Sequence, residues 1–130
     1  MCIRDSSGTL RAAGSDLAAM NNVTLIAESL PQNAFGYFIA SQTTSFVAGP
    51  GGSQGNLCLG GSIGRYIGDV ASSGAGGCLL LTLDLDAVAQ PNGSVAVAPG
   101  DTWNFQAWFR DSAGGIATSN FTEGLEISFF

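Results

Sequence analysis

The sequence predicts an all-β domain, a two-sheet antiparallel sandwich of about seven strands. Three observations predict it. Several stretches alternate between apolar and polar residues, the period of a half-buried strand. Between them lie breakers rich in Gly, Ser and Pro, such as Gly49-Pro50-Gly51-Gly52-Ser53 and the stretch from Ser72 to Gly77. The composition joins 45% hydrophobic residues and 19 glycines to only 11% charged ones, which suits short strands and polar turns better than helices. At 130 residues the chain is one domain's worth, enough to close a single core.

Taken in order, Thr9 to Ala13 is a weak strand candidate, and Ala12 to Met20 reads as loop. Val23, Leu25 and Ala27 alternate with Thr24, Ile26 and Glu28. Phe35, Tyr37 and Ile39 alternate with Gly36, Phe38 and Ala40. Asn56 to Leu59 is a second weak candidate, resuming at Arg65 to Ile67. Cys78 to Leu85 lines Leu79, Leu81, Leu83 and Leu85 along one face, and Pro91-Asn92-Gly93 then signals a turn. Thr102 to Arg110 is the clearest strand. It sets Trp103, Phe105, Ala107 and Phe109 against Thr102, Asn104, Gln106, Trp108 and Arg110. Leu125, Ile127 and Phe129 alternate in the last strand. On this pattern Trp103, Phe105, Leu81, Leu83, Leu25, Tyr37 and Ile127 are expected to be buried together.

The first six residues, Met1-Cys2-Ile3-Arg4-Asp5-Ser6, read as translated sequencing adapter rather than protein. The string ATG-TGT-ATA-AGA-GAC-AG plus C or T encodes this hexapeptide and resembles the end of a transposase adapter. Residues 7–130 are then the domain, the C-terminal fragment of a longer exported protein whose chain continues upstream. The final apolar strand is expected to be the natural C-terminus. Two cysteines remain on this reading, Cys58 and Cys78.

The stretch Val97-Ala98-Pro99-Gly100-Asp101-Thr102-Trp103-Asn104-Phe105-Gln106-Ala107 resembles the E–F corner and strand F of fibronectin type III and other immunoglobulin-like domains. Pro-Gly turns the chain between sheets and an aromatic caps the core at the crossing. Trp103 stands where the family usually has Tyr. Indole offers only an N–H donor, where the phenol of Tyr both donates and accepts. Arg110 to Gly115 and Thr118-Ser119-Asn120 look like the F–G hairpin of the same family. A broader resemblance rests on three segments: Leu30 to Gly36, Gly55 to Arg65, and Thr102 to Asp111. They look like a C-terminal module of large exported proteins from planctomycetes and other environmental bacteria. That resemblance implies export and terminal position and nothing about mechanism.

The sequence holds no His and no Lys, and four Arg face ten acidic residues for a net charge of −6. A Ser-His-Asp or Cys-His centre is therefore impossible within the chain. An acidic surface does not attract a phosphate backbone or an anionic membrane, so no nucleic acid is expected as partner. The longest apolar run is too short to span a bilayer. Absent lysine beside abundant Ser, Thr, Asn and Gly suits a secreted or cell-surface protein.

Candidate chemistry is sparse. Asp84 and Asp86 lie two apart on an outer strand face, a pair that in principle serves glycoside hydrolysis or serves only as solvated charge. With Asp69, Asp101 or Asp111 the same pair could ligate calcium, although no contiguous D-x-D-x-D loop is present. Cys58 and Cys78 are either a disulfide, closing a loop of about twenty residues, or two buried thiols. Trp108, between Gln106 and Arg110, can stack on a sugar ring or be covered by a loop or a neighbouring domain. Gly55 to Gly64 lacks the Lys and the following helix of a phosphate loop. Asn22-Val23-Thr24, Asn92-Gly93-Ser94 and Asn120-Phe121-Thr122 match the glycosylation acceptor pattern, as such short motifs do by chance.

The reading that results is a non-catalytic C-terminal module serving attachment, spacing or interaction. Its partner is an upstream domain of the same chain or a surface glycan or protein. The alternative is a carbohydrate-binding module built on Trp108 and polar loop groups.

Overall fold

The structure of the protein, a computed structural model, describes residues 8–113 and 115–130. Met1 to Ser6, read from sequence as adapter, lie outside the described residues. The fold is all-β: 52% of the chain is strand and no helix reaches seven residues. In chain order the strands are β1 (Thr9–Ala13), β2 (Thr24–Glu28), β3 (Phe35–Ser41), β4 (Thr43–Ala48), β5 (Asn56–Gly60), β6 (Gly64–Arg65) and β7 (Ala71–Ser72). They continue with β8 (Leu79–Thr82), β9 (Val88–Gln90), β10 (Gly93–Val95), β11 (Thr102–Ala113), β12 (Ile116–Phe121) and β13 (Leu125–Ser128). Short 3-10 turns interrupt the loops at Ala18–Met20, Pro50–Gly52 and Ile67–Asp69.

The expectation of two sheets and about seven strands is corrected, because the described strands form four sheets. A three-stranded sheet runs β1-β2-β8 and a six-stranded sheet is organised on β11 and β3; the hairpins β4–β5 and β9–β10 stand separately. The additional ladders are mostly two or three residues long, or carry no buried side chain to mark them, as in β4. Every described pairing is antiparallel.

β11 is the hub of the large sheet. One of its edges pairs with β3, from Asn104↔Ser41 to Phe109↔Gly36. Its other edge takes β13 over Thr102 to Phe105 and β12 over Trp108 to Ala113. The main core draws on both larger sheets: Leu10, Leu25 and Leu79 from one, Phe38, Trp103 and Phe105 from the other. The alternation predicted for β11 holds on this side, with Trp103, Phe105, Ala107 and Phe109 all buried. Leu83 joins them, and Leu81 and Ile127 pack against the cluster half-buried.

Tyr37 does not. In β3 it is Phe38 and Ala40 that face the main core, while Tyr37 and Ile39 point to the opposite face and a second cluster. The strand is apolar on both sides, so its pattern does not choose between them. Two boundaries also move. The ladder of β8 stops at Thr82, although Leu83 and Leu85 stay buried beyond it. After Arg65 the chain turns into a 3-10 segment instead of continuing as strand.

The Pro99-Gly100 corner forms as a tight turn. Gly100 adopts φ +96°, the Asp101 N–H donates to the Ala98 carbonyl at 3.0 Å, and the Asp101 carboxylate accepts the Ala98 N–H at 2.9 Å. Trp103 is fully buried behind it, and its Nε1 has no hydrogen-bond partner among the described residues. Gly64 marks the closest backbone approach. A Cβ there would run into the Ala89 carbonyl, so only glycine lets β6 lie against β9.

Candidate functional site

β11 is buried on both faces along its middle, and the second face is where side-chain chemistry gathers. The hairpin β4–β5 lies across it. Gln106, polar by pattern, is completely buried beneath that hairpin. Its Oε1 accepts the Cys58 N–H at 2.9 Å, and its Nε2 donates to the carbonyls of Asn56 and Thr122, both at 2.7 Å. With both amide hydrogens committed and no surface exposed, this side chain does not reach a ligand. The expectation that Gln106 contacts a ligand beside Trp108 is therefore corrected: it is a structural clasp. Ile39, Leu59 and Phe121 pack around it as a small second core, with Tyr37, Leu57, Ile63 and Trp108 against its edge.

Where the hairpin ends, the face opens. Trp108 is half-buried and sits directly opposite Tyr37 across the β11–β3 ladder. Their ring centroids are 5.1 Å apart and tilted by 36°. The guanidinium carbon of exposed Arg110 stands 5.2 Å from the Trp108 ring centre, a cation–π contact. Phe35 sits two residues before Tyr37, on the same face of β3, and is 59% exposed. Of the three residues expected to form a ligand surface, Trp108 and Arg110 come together and Gln106 does not.

At the other end of the same face lies a groove of about 530 Å3, between β4 on one side and the segment Glu123–Glu126 on the other. Cys58, Leu59 and Asn104 line it as well. Asn104 is only 4% exposed, and its Nδ2 donates to the Ser41 carbonyl at 3.3 Å. Its Oδ1 accepts no hydrogen bond from the described residues. Glu126 stands opposite Asn104 in the β11–β13 ladder and is exposed, with no partner among the described residues. Glu123 accepts the Leu10 N–H at 3.4 Å. The hydrophobic pattern hid this groove, because it reads Asn104 as an outward polar residue and marks no strand at β4. The one available signal was the pair of amides, Asn104 and Gln106, within a strand otherwise rich in aromatics.

The remaining expected sites do not assemble. Among the described residues, no three His, Cys, Asp or Glu side chains gather to hold a metal, so Asp84 and Asp86 do not meet Asp69, Asp101 or Asp111 around calcium. Asp84 instead forms an Asx turn with the Asp86 N–H at 3.0 Å and accepts Asn21 Nδ2 at 3.2 Å. The Cys58–Cys78 bridge is also corrected. Cys78 is a free, exposed thiol beyond the Ser72–Gly77 turn, while Cys58 is buried at the Gln106 clasp. The glycosylation motifs separate clearly. Asn120 is buried and donates to the Asp111 carboxylate at 3.0 Å, Asn22 accepts the Ser15 N–H at 2.8 Å, and Asn92 is exposed at the β9–β10 turn.

Among the described residues, Tyr66 departs in acidity from its ordinary value. Burial raises its phenol above the ordinary value, against the opposing effect of the Ala89 N–H it accepts at 3.2 Å. No helix among the described residues is long and apolar enough to cross a membrane. Comparison with protein-family models, with curated proteins and with solved structures returns no match to this chain.

Proposed function

We propose that the domain is a non-catalytic module of a secreted or cell-surface protein, serving attachment, spacing or interaction through the second face of its large sheet. One observation carries this reading. Among the described residues the hairpin covers only the middle of that face, leaving half-buried Tyr37 and Trp108 with exposed Arg110 open beside exposed Phe35. Aromatic rings with one wet edge are what a contact surface uses. The lack of His and Lys in the sequence supports a non-catalytic role. The finer fold assignment, a sandwich of fibronectin type III or immunoglobulin-like type, belongs to the same proposal. It is supported by the core shared between the three-stranded and six-stranded sheets. The resemblance to an exported bacterial module supports the location.

A carbohydrate-binding module is the second reading, favoured by the two adjacent rings and the neighbouring guanidinium, which suit stacking on a sugar and bonding to its hydroxyls. The test is a glycan and surface-protein binding array with the domain and with Trp108→Ala, whose fold is checked by melting. Glycan binding lost in the variant selects the second reading, and protein binding lost in the variant selects the first. Retention of all binding in Trp108→Ala refutes both uses of this face. Turnover of polysaccharides or esters by the purified domain refutes the non-catalytic role.

A further inference from the structure

The geometry points to the 530 Å3 groove beside β4 as a docking site for a Lys- or Arg-bearing segment of a partner protein. This deepens the proposal that the domain is a binding module, but it uses the opposite end of the face from Trp108. Three independent features meet there. The volume lies in the range of a ligand cleft, roughly 300–1,000 Å3. The floor is apolar through Leu59, and Phe46, 59% exposed, lines the groove beside it. Every formal charge on the walls is negative: among the described residues Glu126 has no partner, and the Glu123 carboxylate accepts the Leu10 N–H alone. Between them, at the bottom, the nine-tenths buried Asn104 presents an unused acceptor oxygen.

Acceptors over an apolar floor select a cationic head on an apolar stem. Lys and Arg side chains have that form, burying their methylenes while the head stays polar. A second copy offers only its four Arg, and its overall charge opposes their approach. It has no Lys and a net charge of −6, so two copies repel. The occupant is therefore a basic segment of a different protein.

The experiment is amide chemical-shift titration of the labelled whole chain with three capped pentapeptides, each with a central residue between two valines. That central residue is lysine, arginine or glutamine. The expected result is saturable shifts at Phe46, Gly124 and Leu125 with the two cationic peptides, binding about fivefold weaker with glutamine, and loss of binding at high salt. Glu126→Gln is expected to weaken the cationic peptides by the same factor without moving the melting temperature, because Glu126 is exposed and holds no structural bond. Four results would overturn the inference: equal binding of lysine and glutamine peptides, no groove shift with any peptide up to about 1 mM, groove shifts with a neutral oligosaccharide alone, or concentration-dependent self-association that occupies the groove. If the peptides fail while Trp108-dependent binding persists, only the groove assignment falls.

Discussion

The side chain of Gln106 accepts the backbone N–H of Cys58 at 2.9 Å, so one amide on the central strand stitches a separate hairpin onto the sheet beneath it. The same side chain donates to Thr122, where the chain leaves β12. Gln106→Leu fills a similar volume but strips buried partners of their bonds, and about 2–4 kcal/mol of stability is expected to go. Gln106→Glu keeps the acceptor and replaces the donor with charge facing two carbonyls, and it should be worse near neutral pH than under acid. Urea denaturation of both variants checks this. A Leu variant as stable as the parent would remove the clasp from the account.

These residues also show what the sequence could tell. The inward face of β11 was legible because four large or small apolar residues alternate without a break and are covered by another apolar sheet. The outward face was not. Burial of Asn104 and Gln106 depends on a hairpin about fifty residues away, and no local pattern announces a cover of that kind. β4 carries Phe46 and Val47 exposed, so nothing in its alternation separates strand from loop. β3 misled for the opposite reason, being apolar on both sides. The Trp108–Arg110 pairing was readable from the spacing of two along one strand, whereas Tyr37 as their companion required the cross-strand register.

The two tryptophans are expected to behave as opposites in fluorescence. Trp103 is fully buried and Trp108 half-buried. Trp108→Phe should shift the emission to shorter wavelength and make what remains resistant to acrylamide. Its stability cost should stay within about 1 kcal/mol, as for a partly exposed site. A remaining signal that quenches freely would place Trp103 near solvent and contradict the core.

Alkaline stability should report Tyr66. Its phenol is raised in the folded state by burial, so the folded chain holds the proton to higher pH than the unfolded chain. The contribution is complete below the ordinary tyrosine value of about 10 and is lost as pH rises from there through the folded value. The melting temperature should be insensitive to this group across the neutral range and fall above that point. Tyr66→Phe should flatten that fall while lowering stability at neutral pH, because the Ala89 N–H loses its acceptor. An unchanged alkaline slope in the variant would assign the fall to other groups.

Cys78 is expected to react with a thiol reagent in the native protein, without denaturant, at the rate of an accessible cysteine. Cys78→Ser should leave melting within about 0.5 kcal/mol of the parent, as for an ordinary surface change. A thiol that titrates only after unfolding would mean the turn at Gly74–Gly77 shields it.

The position of β11 as hub has a kinetic consequence. Its partner β3 lies more than sixty residues earlier, and its other neighbours come after it. During synthesis β3 therefore emerges well before β11, its main partner. Little of the large sheet can persist until Thr102 to Ser128 arrive. Such long loop closures are slow compared with local pairing, so the large sheet closes late, once Thr102 to Ser128 are in place.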